Sequence, residues 1–157
     1  MKRLAFQVDI PSADALVKAL AGCKHNTVPQ WGKMSAPAML HHVADFGDLY
    51  FGRIQADAFT RWVSRLLGSF FLRSLTTKDP LGETPRNLPT LAAIKSTDGE
   101  AFDWEEGLKR VRTMLHEIEK LAGETQLHPM YGVMHTADFK ALILHHTAHH
   151  FHQFGLI

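Results

Sequence analysis

An all-α fold, a bundle of four main helices in a single domain spanning residues 1–157, is the class this sequence predicts. Three observations carry the prediction. Apolar residues recur at helical spacing along most of the chain, alternating strand-like stretches are scarce, and Ser or Asp stands where the helices should start. With 157 residues, 45% hydrophobic and 21% charged, the chain can bury a sizeable core as one soluble unit.

Ser12 is placed to cap a first helix reaching about Ala21, with Ala15, Leu16, Ala19 and Leu20 on its apolar side and Gly22 at its end. A loop with Asn26, Pro29 and Gly32 follows. Ser35 then caps a long second helix, in which Pro37 is tolerated because a first turn needs no donor there. Its stripe runs through Met39, Leu40, Val43, Phe46, Leu49 and Tyr50, and the helix is expected to continue to about Ala58. Residues 62–72 are strongly apolar. They suit a short helix across the bundle, a dimer surface or, given Arg61, Arg65 and Arg73, a patch on a membrane surface.

Between Lys78 and Asp98 lie Pro80, Gly82, Pro85 and Pro89, which predict a long loop between the second and third main helices, either a lid or a connector. Asp103 followed by Glu106 opens the third main helix in the manner of a capping box; Leu108, Val111, Leu115, Ile118 and Leu121 form its stripe, and Gly123 stops it. A turn through His128-Pro129 and Gly132 leads to the last helix, from about Thr136 to Phe154. Its inner stripe is Phe139, Leu142, Ile143, His146, His150 and Gln153.

The formal charge is +1, with Lys and Arg spread thinly, which argues against a nucleic-acid partner. No stretch approaches the roughly 18 apolar residues that span a bilayer. A single cysteine, Cys23, forms no internal disulfide and suits a reducing compartment. Met1 to Leu4 lead into Asp9 and Pro11 without an apolar signal-peptide core, so a cytoplasmic location is expected.

Histidine is the compositional outlier, at 11 residues. Five of them fall in the eight positions from His145 to His152, interleaved with the apolar residues of an amphipathic helix. His146 and His150 are four apart, so their imidazoles share one helical face and can chelate one ion. A third ligand is available from the second helix. His42 lies beside Val43 and between Met39 and Phe46, where it is either that ligand or a hydrogen-bonded core histidine. Asp45, three residues on, can orient the His42 ring or serve as a fourth ligand. His149 can shuttle a proton or stand in solvent, and Gln153 can orient a ligand or bind a neighbouring helix. His41 and His145 have equally open roles, while His116 and His152 read as surface residues.

Trp31-Gly32-Lys33-Met34-Ser35, His42-Val43-Ala44-Asp45, His128-Pro129-Met130-Tyr131-Gly132 and the closing His146-x-x-His149-His150-x-x-Gln153-Phe154-Gly155 together resemble the DinB/YfiT-like superfamily of metalloenzymes. The resemblance runs from about Trp31 to the C-terminus and is most specific in the closing motif. It implies a four-helix bundle of the DinB/YfiT-like type, often dimeric. It also implies a divalent metal ion, nickel or zinc, held by one histidine of the second helix and two of the last, which fall at His42, His146 and His150. One departure stands out: Phe151 occupies the place where many members carry Arg.

Two functions follow. The first is a metal-dependent enzyme, a small-molecule thiol transferase or a hydrolase, in which the metal activates a thiol or a water. Its catalytic residues would be His149, Gln153 and Asp45, its partners a small-molecule substrate and a second copy of the chain. Imidazole donors suit zinc and nickel, with iron or manganese as further choices. The second is a non-enzymatic metal-binding or stress-associated protein whose ion cements the bundle. A weaker third reading is an interaction module built on residues 62–72.

Overall fold

A computed structural model describes residue 4 and residues 6–86, 92–95 and 101–157. The described chain is mostly helical: α1 (Ala13–Leu20), α2 (Ala36–Tyr50), α3 (Ala58–Thr76), α4 (Trp104–Lys120) and α5 (Thr136–Gln153), with a 3-10 turn at Ala92–Ile94. Between α4 and α5 lies a two-stranded antiparallel sheet, β1 (Thr125–His128) and β2 (Gly132–His135).

The helix starts lie where the capping residues predict them. Ser12 accepts from the Ala15 amide at 3.2 Å, Ser35 from the Ala38 amide at 3.3 Å, and Asp103 from the Glu106 amide at 2.7 Å. Each bond satisfies one of the orphan donors of a first turn. Two boundaries differ from the sequence reading. α2 ends at Tyr50 rather than near Ala58, because Gly52 takes a φ of 74° and turns the chain out of the helix. The apolar stretch at 62–72 lies inside a 19-residue helix, α3, instead of forming a short one. Of the loop expected between Lys78 and Asp98, residues 87–91 and 96–98 lie outside the described residues.

α1 and α2 both pack against α4 and α5, and their apolar stripes merge in one core around Leu16, Leu40, Val43, Leu115, Ile143 and Phe151. The α2–α4 contact is the most extensive, and two glycines explain it. The Met114 side chain of α4 fills the space a Cβ on Gly47 of α2 would need, and Gly107 of α4 lies under Leu40 and His41. Missing side chains at both places let the helices close on each other. Arg110 then ties the exposed edge of this pair, reaching Asp45 at 2.6 Å and Asp48 at 2.7 Å.

The hairpin was not expected, and its pairing shows why. Thr125 opposes His135, Gln126 opposes Met134, Leu127 opposes Val133 and His128 opposes Gly132. Leu127 and Val133 face solvent, while His128 and Met134 are buried. The usual polar-out, apolar-in alternation is therefore inverted at the central pair. No helix among the described residues is long and apolar enough to cross a membrane.

Candidate metal centre

α2 and α5 lie side by side, and each brings histidines to the shared seam. His42 comes from the middle of α2, where Met39 and Val43 keep its face in the core. His146 and His150 come from successive turns of α5, below Phe139, Leu142 and Ile143. The three rings meet, with centroids 5.1 Å apart for His42–His146, 4.7 Å for His42–His150 and 4.6 Å for His146–His150. One ligating nitrogen from each lies within 4.8 Å of the others.

Hydrogen bonds fix which nitrogens are free. The Nδ1–H of His42 donates to the Ile94 carbonyl at 3.0 Å, leaving Nε2 with its lone pair. For His150 the assignment passes through Gln153. The Trp31 carbonyl can only accept, so the Gln153 amide nitrogen faces it, at 2.8 Å. The Gln153 oxygen therefore faces His150 and accepts its Nδ1–H at 2.9 Å, which again leaves Nε2 free. His146 is held differently. Phe46, one turn beyond His42 on α2, stacks on its ring at a centroid distance of 3.6 Å and an interplanar angle of 5°. Its Nδ1 is buried without a hydrogen-bond partner.

Burial keeps all three rings neutral. It is the main cause that lowers His42, although the bond to Ile94 and the charge of Asp45 oppose it. Burial, reinforced by neighbouring histidines, pushes His146 well below the ordinary value of 6.5 and His150 down to about 3. Neutral imidazole is the form that binds metal. Three neutral rings that bring one nitrogen each within 4.8 Å of the others, two of them with Nε2 left free, are a donor set fitted to a divalent cation.

The other histidines and polar residues separate by role. Asp45 does not ligate in this arrangement: its carboxylate pairs with Arg110, and the Ile94 carbonyl is the acceptor that orients His42. His41 turns away to the Asp103 carbonyl at 2.7 Å. His145 is buried and bonds the Lys78 carbonyl at 2.8 Å. His149 lies beside Trp31, with ring centroids 5.9 Å apart. His116 is exposed, and His152 rests against Trp31 at the rim.

Ile94 and Phe46 were missed by sequence reasoning. Phe46 carried a usable signal, since it lies four residues after His42 on the same face. Ile94 carried none, because a backbone carbonyl leaves no trace in side-chain pattern.

A family model described as a protein of unknown function, DUF1569, matches residues 5–155. The chain belongs to the DUF1569 family. That match takes in the whole of the histidine cluster and all five helices of the described residues. No curated protein and no solved structure matches the chain.

Proposed function

We propose that this protein is a metal-dependent enzyme that holds a divalent cation at His42, His146 and His150 and acts on a small molecule as a thiol transferase or a hydrolase. The observation that carries the reading is the convergence of three neutral imidazoles from two helices, two of them with the lone pair left free by protein hydrogen bonds. A cation bound there would supply Lewis acidity, lowering the pKa of a thiol or a water at an open position. The protein's own share is orientation and desolvation. Ile94 and Gln153 hold two rings, Phe46 stacks on the third, and His149 stands beside His150 at a centroid distance of 5.3 Å, placed to move a proton at the rim.

The resemblance to the DinB/YfiT-like superfamily supports the same assignment. In this reading the ion is zinc or nickel before iron or manganese, and the protein is a cytoplasmic homodimer. The competing reading, an ion that cements the fold, draws on the same three histidines, which a shared cation would tie together across α2 and α5.

Chelation separates the two. For an enzyme whose rings are already held by Ile94, Gln153 and Phe46, removing the ion should abolish turnover of thiol-conjugation or ester and amide substrates while lowering the melting temperature only slightly. A fall large enough to unfold the protein at room temperature would favour the structural ion, since metal binding energy is then folding energy.

A further inference from the structure

The last helix holds two loops by hydrogen bonds from residues that flank the histidine cluster. His145 of α5 bonds the carbonyl of Lys78, where the 78–86 turn begins. That turn is closed on itself: the Asp79 carbonyl accepts from the Glu83 and Thr84 amides at 3.0 Å, and its carboxylate from the Leu81 amide at 2.8 Å. From the other side Gln153 holds the Trp31 carbonyl, and its own carbonyl accepts from the Gln30 amide at 2.7 Å. The two loops meet where the Arg86 guanidinium carbon lies 4.2 Å from the centre of the Trp31 ring, over its face. Trp31 in turn lies against His149, the neighbour of His150.

Arg86 differs from the other arginines tied to this fold. Arg53 and Arg110 each hold two carboxylates. Arg86 has no carboxylate partner among the described residues, and what holds it is the electron-rich face of an indole. A guanidinium so held keeps its N–H fork for a planar anion. The position is built: both loops are pinned by α5, and both pins lie within one turn of the ligating histidines.

We propose that Arg86 on Trp31 is the seat for a carboxylate of the substrate. The molecule acted on is then a small organic acid, whose thiol, ester or amide end reaches the histidine centre while its carboxylate pairs with Arg86. This inference rests on the metal-centre reading above.

Full-length protein loaded with cobalt(II), its metal content measured, is titrated with 3-mercaptopropionate, 2-mercaptoethanol and cysteamine, following thiolate-to-cobalt charge-transfer absorption. The seat predicts that 3-mercaptopropionate binds about tenfold tighter than 2-mercaptoethanol, with cysteamine the weakest. Arg86→Gln should erase that preference and leave cobalt content and 2-mercaptoethanol affinity at the wild-type level. Equal affinities for the three thiols, or a preference that survives in Arg86→Gln, overturns the seat while leaving the metal centre standing. Failure to take up cobalt overturns the metal centre instead. In that event, succinate is compared with succinamide by quenching of Trp31 in a Trp62→Phe, Trp104→Phe background; equal binding of the two overturns the seat as well.

Discussion

The Gln153 side-chain oxygen accepts a hydrogen bond from His150 Nδ1 at 2.9 Å, while its amide nitrogen donates to the Trp31 carbonyl at 2.8 Å. One buried amide thus sets the tautomer of a candidate ligand and fastens the loop that rims the site. Gln153→Met keeps the volume and removes both bonds. Metal affinity should fall about 10- to 100-fold, as when a partner that orients a ligating histidine is lost. Stability should fall by about 1–3 kcal/mol for the buried groups left unpaired. Chelator-competition titration and denaturant melts measure the two effects; wild-type affinity in this variant would contradict the orienting role.

Phe46 holds the His146 ring by stacking. Phe46→Leu keeps the position apolar and frees the ring to rotate. The expected result is helicity unchanged by circular dichroism and metal affinity reduced severalfold. Unchanged affinity would mean that the neighbouring side chains hold the ring without the stack.

Acid should destabilise the metal-free protein over a defined range. Burial lowers the folded-state values of His128 and His150 to about 3, from an ordinary 6.5. Below that ordinary value the unfolded chain takes up protons that the folded chain refuses. The stability these neutral rings contribute is therefore complete above pH 6.5 and is lost as pH falls toward 3, by at most about 1.4 kcal/mol per pH unit for each ring. His128 offers a test outside the cluster. Its Nδ1 accepts from the Met130 and Tyr131 amides at 3.0 and 3.1 Å, and Asn at this position presents an oxygen in a similar place. His128→Asn should show a shallower fall between pH 6.5 and 4 in urea melts of metal-free protein. An identical slope would show that His128 is not one of the titrating groups.

The close approach of α2 and α4 predicts a packing effect separate from metal. Gly47→Ala gains about 1 kcal/mol of helix propensity but adds a methyl where Met114 already lies. Overpacking of this kind costs about 1–3 kcal/mol, so the net change should be a loss of about 1 kcal/mol with metal content unaltered. A stabilised variant would show that Met114 moves aside freely.

Much of this was legible in the sequence. The caps at Ser12, Ser35 and Asp103, the stripe of α4 and the extent of α5 follow from local rules, and the structure places each within a few residues of its predicted bounds. The pairing of His146 with His150 is a consequence of helical pitch, and His42 joins them because its neighbours keep that face of α2 inward. Elements set by long-range contact were not legible. The hairpin has four-residue strands with an inverted burial pattern, α3 carries apolar residues on an exposed side at Phe59, Trp62 and Leu66, and the Ile94 carbonyl reaches His42 from 52 residues away. The partner of Asp45 was not legible for a related reason. Asp45 lies three residues after His42, near enough to suggest an orienting role, yet Arg110 of α4 takes its carboxylate.

The most direct test is elemental analysis of untagged protein, wild type beside His42→Ala, His146→Ala and His150→Ala, with helicity recorded for each. The account predicts about one divalent ion per wild-type chain and a loss of most of it in every variant, with the helices retained. Wild-type protein that takes up no divalent ion, or variants that keep full metal content, would contradict it.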